Sequence, residues 1–210
     1  MNPETVRHRV ATGRLIAVEG LDGVGKSTMA SSVAALLGAE LLAMPGMPRP
    51  AAHAVLTALG PDPTARLLFH AACARGLGLR ARFMCGEGRD VLADRYWLSS
   101  LAYARARGVT LDVEALCSTI PAPDVTIVVT LSEAERQERL LARGPTEVDR
   151  ETMAQGFAAR VLNAMRDPAL HGPFAPTSWL DVTGLNPAAA RAAFIALVGN
   201  TSSVSQVQER

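Results

Sequence analysis

Short apolar runs alternate along this chain with longer stretches in which apolar residues recur every three or four positions, and the alternation lays out its elements. Residues 14–19 form an apolar run of strand length, and residues 27–37 an Ala- and Leu-rich helix. Residues 40–44 read as a second strand, stopped by Pro45, Gly46, Pro48 and Pro50. Helical stretches at 51–59 and 64–85 precede a third strand at 90–94, and further helices cover 98–107 and 111–119. The run 125–131 is rich in β-branched residues, is introduced by Pro121, Pro123 and Asp124, and is expected at the buried centre of a sheet. Ser132 with Glu135 three residues on is a capping box for a helix ending at Arg143; a helix at 151–165, a strand at 178–182 and a helix at 187–198 follow. Strands alternating with helices predict an α/β fold in three layers, a five-stranded parallel sheet flanked by helices, with ligands at the carboxyl ends of the strands. Residues 14–199 are expected to form a single domain with a short lid near 144–150, between an N-terminal extension at 1–13 and a disordered polar tail at 200–210.

Composition narrows the partners. The chain has 210 residues, 49% hydrophobic and 20% charged, and its formal net charge of +1 lacks the basic excess of a general nucleic-acid surface. Small anions are the expected partners, and nucleic acid is not. No run is long enough to span a membrane, so no membrane partner is expected either. Cys73, Cys85 and Cys117 are odd in number and lack metal-ligand spacing, the pattern of reduced thiols in a cytoplasmic protein.

Lys26 is the single lysine of the chain; every other strongly basic side chain is arginine. It stands in Gly20-Leu21-Asp22-Gly23-Val24-Gly25-Lys26-Ser27, a complete phosphate-binding loop between an expected strand and an expected helix. Gly20, Gly23 and Gly25 permit positive φ, so the N–H groups from Val24 through Lys26, Ser27 and Thr28 can face phosphate oxygens at the positive end of the helix. A compact ammonium reaches the β- and γ-phosphates where a planar guanidinium fork does not fit. Ser27 is then the expected neighbour of Mg²⁺, and ATP with Mg²⁺ the expected cofactors.

A second constellation follows the third strand, where Asp94-Arg95-Tyr96 is followed by Ser99 and by Ala102-Tyr103. The spacing D-R-Y-x-x-S-x-x-A-Y, joined to Glu19-Gly20-Leu21-Asp22-Gly23-Val24-Gly25-Lys26-Ser27, resembles the thymidylate kinase family of P-loop nucleoside monophosphate kinases. Phe69, Pro123-Asp124, Arg139 and Arg143 extend the resemblance over most of the chain. It implies phosphoryl transfer from Mg²⁺-ATP to a nucleoside monophosphate, with Asp94 beside Ser27 at the metal and Asp22 at the acceptor sugar or the metal. It also implies Phe69 stacked on the base, Ser99, Ser100 and Tyr103 beside the acceptor, and a homodimer. The charge argument agrees: Arg95 at a strand end suits bidentate capture of the acceptor's phosphate, and Arg143 or Arg150 from the lid would cover the transferring group.

The acceptor pocket departs from the family. Cys73 stands where thymidylate kinases carry the arginine that donates to the base, and Arg75 lies about 200° away on a 3.6-residue helix. Ser100 and Ala104 stand where the family commonly carries Asn, Ser or Gln. Loss of positioned donors relaxes base selection, which points to a modified nucleotide or another specialised small molecule as acceptor, beside thymidylate itself. His70 reads as a partly exposed, inert helix residue. A kinase acting on a hydroxyl would need a carboxylate base, and Glu19 is available for that. A regulatory P-loop ATPase is the remaining alternative; a GTPase switch is excluded, because the guanine-reading N-K-x-D needs a second lysine.

Overall fold

Five short aliphatic runs pair in parallel at the centre of the computed structural model, which describes residues 12–112, 114–171 and 177–204. They are β1 (Leu15–Glu19), β2 (Glu40–Ala43), β3 (Val91–Asp94), β4 (Val125–Thr130) and β5 (Thr177–Asp181), in the order β2-β3-β1-β4-β5. Parallel neighbours require crossovers, and helices supply them on both faces. Side chains alternate along β1. Ile16 and Val18 pack against α1 (Lys26–Leu37), α8 (Phe157–Arg166) and α10 (Pro187–Val204), whereas Leu15 and Ala17 pack against α3 (Pro63–Gly86) and α4 (Leu98–Ala106). This is the three-layer α/β architecture that the pattern predicts, with β4 buried along its first five residues.

The remaining helices are α2 (Arg49–Leu59), α5 (Glu114–Cys117), α6 (Glu133–Arg143), α7 (Glu147–Met153) and α9 (Pro168–His171). Four expectations are corrected here. The helix expected at 151–165 is two helices: Thr146 and Asp149 form the capping box that starts α7 early, and Gly156, at φ 76°, restarts the chain as α8. Ser132 does accept from the Glu135 N–H, but the Glu135 carboxylate is turned to the Gly184 N–H instead of closing a second box. The helix expected at 111–119 is the single turn α5, ended where the Ser118 and Thr119 hydroxyls fold back onto the Ala115 and Leu116 carbonyls at 2.8 Å. α10 runs to Val204, past the expected end at 198 and into the segment expected as a tail. The rest of that tail and residues 1–11 of the N-terminal extension lie outside the described residues.

Candidate active site

The carboxyl ends of β1 and β3 open into a cleft of about 660 Å³. Its floor is the loop from Gly20 to Gly25. Gly20 has φ 135°, and a Cβ there would lie 2.3 Å from the Val129 carbonyl oxygen, so only glycine lets the loop leave β1 this close to β4. Gly25, in the left-handed region at φ 94°, begins α1 without a side-chain cap, and the first turn holds no acidic residue. The unpaired N–H groups and positive dipole end of α1 are therefore left to the cleft. Lys26 is only 5% exposed, and its ammonium donates to the Leu21 carbonyl. Burial, reinforced by the charge on Arg95, pushes its pKa down to about 7. A buried ammonium that holds its proton so weakly is short of negative charge, and a polyphosphate on this loop would supply it.

Ser27 and Thr28 are exposed at the start of α1 and line the same cleft, as does Asp94; the Val24 side chain is buried in the core. Among the described residues there is no group of three or more His, Cys, Asp or Glu able to hold a metal. Mg²⁺ beside Ser27 and Asp94 would thus take its remaining ligands from phosphate oxygens and water, the usual habit of this ion.

Arg95 follows β3 at φ 64°, the one non-glycine residue with positive φ among the described residues. Its N–H donates to the Val18 carbonyl at 2.9 Å, and its guanidinium donates to the Gly20 carbonyl at 3.3 Å and forms an ion pair with Asp22. Tyr103 donates its hydroxyl to the other Asp22 oxygen at 2.9 Å. Burial alone would raise the Asp22 pKa, but the charges of Arg95 and Lys26 hold it at about 2. Both Asp22 oxygens thus accept from protein groups, Arg95 and Tyr103, and each keeps a further acceptor site on a carboxylate that lines both the cleft and the cavity beyond it.

Beyond this junction lies a second cavity of about 330 Å³. The two spaces share Asp22, Met44, Pro45, Arg95 and Val148, so they meet at the arginine. Ser99, Ser100 and Tyr103 line the cavity as expected. The Ser99 hydroxyl, however, donates to Glu19. Glu19 is 0% exposed, also accepts from the Tyr96 N–H at 3.1 Å, and lines neither the cleft nor the cavity. Burial raises its pKa against the opposing hydrogen bond from Ser99. It is a structural acid inside the protein, and a base for a hydroxyl acceptor is not available from it.

Phe69 and Cys73 are not in this cavity. The structure places them in a separate groove of about 700 Å³ between α3 and the turn at 45–48, with Pro45 bordering both spaces. Arg75 donates to the Thr119 carbonyl, away from either. On the lid side Arg143 lines the cleft, ion-paired with Asp149 at 2.7 Å, whereas Arg150 is exposed and outside it. Arg139 lines the cleft too, its Nη1 3.7 Å from where a Gly25 Cβ would be. The segment expected as a free lid is in part the first turn of α7.

Of the polar cavity residues, Arg66 on α3 and Arg107 after α4 are not singled out by the sequence, and His70 on α3, beside Phe69, reads there as inert although it could touch the acceptor. Arg107 holds Glu151 with two hydrogen bonds, 2.8 and 2.5 Å, and lies 5.4 Å from the Tyr103 ring centroid. The available signal was the four-residue spacing of Arg66 and His70, which puts them on one helix face.

The chain is similar to known proteins in sequence and in fold. The family model for thymidylate kinase matches residues 18–171. A thymidylate kinase of Cereibacter sphaeroides is 34% identical over 89% of this chain and 97% of its own length, and a probable thymidylate kinase of Pyrobaculum aerophilum is 32% identical over 63% and 72%. Among solved structures, thymidylate kinase from Candida albicans superposes with a TM-score of 0.72 at 24% identity, covering 91% of this chain and 93% of that one. Thymidylate kinase from Ehrlichia chaffeensis does so with a TM-score of 0.62 at 19% identity, covering 89% and 99%.

Proposed function

The chain belongs to the thymidylate kinase family and is an ATP-dependent phosphotransferase; we propose that it transfers the γ-phosphoryl group of Mg²⁺-ATP to a pyrimidine deoxynucleoside monophosphate, with thymidylate as first candidate. The observation that carries this reading is the meeting of two spaces at Arg95. One is floored by a phosphate-binding loop, and the other is of single-nucleotide scale. Of the positions that depart from the family, Ser100 and Ala104 line the cavity, and Cys73 lies in the neighbouring groove.

Transfer between two anions is chiefly positioning and charge neutralisation, and the residues divide accordingly. Lys26, the α1 N-terminus and the loop N–H groups hold the donor's phosphates. Arg95, aimed by Asp22, presents a fork to the acceptor's phosphate, one oxygen of which forms the new P–O bond as the bond to the ADP oxygen breaks. Ser27 and Asp94 would hold Mg²⁺, which when bound would supply further neutralisation of phosphate charge. Arg139 and Arg143 line the cleft from α6 and add positive charge beside the phosphates. No residue needs to remove a proton, because a phosphate oxygen is already anionic near neutral pH.

ATP consumption with Mg²⁺ against a panel of nucleoside monophosphates and the matching nucleosides tests the reading. Thymidylate turnover that falls at least about 100-fold in Lys26→Ala is the expected result. Turnover of nucleosides with no turnover of any monophosphate would replace it with a hydroxyl kinase.

A further inference from the structure

The acceptor cavity contains two polar side chains whose hydrogen-bonding capacity the protein leaves unused. Arg66 donates its Nε–H to the Gly60 carbonyl at 2.9 Å, which fixes the plane of the guanidinium, and its two terminal nitrogens make no hydrogen bond to the described residues. His70, one helical turn further along α3, makes no hydrogen bond to the described residues either; its ring rests against Phe69, centroids 5.2 Å apart. The other charged groups on the wall are committed: Asp22 to Arg95 and Tyr103, and Arg107 to Glu151.

Position separates this pair from the phosphate end. Asp22 and Arg95 line both the cleft and the cavity, whereas Arg66 and His70 line the cavity only. A monophosphate held at Arg95 therefore extends its sugar and base toward α3. Resting on the reading of this cavity as the acceptor site, we propose that Arg66 and His70 are the residues that select the acceptor's base, recognising a pyrimidine with carbonyl oxygens flanking a ring N–H over one bearing an exocyclic amino group.

The chemistry follows from what each group can offer. The Arg66 terminal nitrogens are donors only, so they match a carbonyl oxygen and oppose an amino group. Burial, together with the charges of Arg107, Arg95 and Arg66, lowers the His70 pKa to about 4, so the imidazole is neutral at working pH and keeps one bare nitrogen. That nitrogen accepts from a ring N–H beside the carbonyl. A cytosine ring reverses both partners, placing an amino donor against the guanidinium and a ring acceptor where the N–H is needed. This pair takes over the task that the Cys73 position cannot perform from the neighbouring groove.

The test is the ratio of kcat/KM for thymidylate to that for deoxycytidylate, measured for the native enzyme and for Arg66→Ala, His70→Ala, His70→Asn and Cys73→Ala. Loss of one positioned partner in a buried site is expected to lower kcat/KM for thymidylate about 10- to 100-fold, mostly through KM, and to shrink the ratio by a similar factor. His70→Asn, which keeps a hydrogen-bonding head of similar reach, should recover part of the ratio, and Cys73→Ala should leave it unchanged. A ratio in both alanine variants equal to that of the native enzyme, with melting temperature and ATP affinity also native, overturns the pair while leaving the thymidylate kinase reading intact. If Arg66→Ala fails to fold, Arg66→Lys serves, because it keeps the charge and loses the fork. A native enzyme that turns over no nucleoside monophosphate overturns both readings.

Discussion

The most informative single residue is Lys26, because its surroundings make its proton a reporter of nucleotide binding. Its pKa of about 7 in the folded protein lies below the ordinary 10.5, so between those values the folded state binds fewer protons than the unfolded chain, and its contribution makes stability rise with pH across that window. A bound polyphosphate restores the proton. At pH 8, ATP binding is therefore expected to take up close to one proton, read by calorimetry in two buffers of different ionisation enthalpy, and the uptake should vanish in Lys26→Ala. Equal binding heats in the two buffers for the native protein would mean that Lys26 is already charged without ligand. At this scale, the linear motifs were legible because covalent spacing fixes them: Gly20 to Ser27 forms one loop, and Asp94-Arg95 must end the strand beside it. The walls of the acceptor cavity were not. Spacing says that Phe69 and Cys73, like Arg66 and His70, can share a helix face; it does not say where along α3 the turn at Pro45 divides one groove from the next. Nor does it say that Asp22 already has two protein partners.

Among the elements, α6 does more than carry the cleft arginines. Arg136 is 0% exposed, and its guanidinium donates to the Asp22 carbonyl at 3.1 Å, to the Thr152 hydroxyl at 3.2 Å and to the Thr152 carbonyl at 2.9 Å, with Glu133 completing its charge. It ties the phosphate-binding loop to the end of α7, the element that also supplies Asp149 to Arg143. Arg136→Ala takes the guanidinium from the Asp22 and Thr152 carbonyls, while the Thr152 hydroxyl keeps its bond to the Asp149 carbonyl, so a loss of about 3 kcal/mol is expected, read as a fall of roughly 6–12 °C in Tm. ATP affinity should fall with it, since the loop loses its anchor. A variant with native Tm and native ATP affinity would show that the loop and α7 are held by other contacts. All five strands were legible, because aliphatic runs bounded by Pro, Gly and Asp have few alternatives. The helix breaks near 154–156 and after α5 were not, because they depend on local side-chain hydrogen bonds and on one glycine at positive φ, features that apolar periodicity does not register.

At the scale of the whole molecule, one apolar face of α3 is left exposed by the described residues. Leu68, Leu79 and Phe83 are 47%, 52% and 69% exposed. At 100° per residue they fall in one stripe with Ala72, opposite the buried stripe of Leu67, Ala71, Ala74 and Ala81. The stripe runs along about 22 Å of helix at 1.5 Å per residue, and its small central residues allow close approach of a second helix. A second copy of the chain, packed α3 against α3, is the occupant that fits a two-fold arrangement, because the same stripe is then presented by both sides. Sedimentation equilibrium should give a dimer for the native protein, and Leu79→Glu with Phe83→Glu should give a folded monomer. The same helix carries Arg66 and His70 on its cavity face, so packing of a second copy at the stripe would brace that wall of the cavity. Monomerisation is accordingly expected to raise the acceptor's KM several-fold more than that of ATP, whose cleft is built on α1 and α6. A monomeric native protein would remove the dimer from the picture, and equal changes in the two KM values would confine its role to stability.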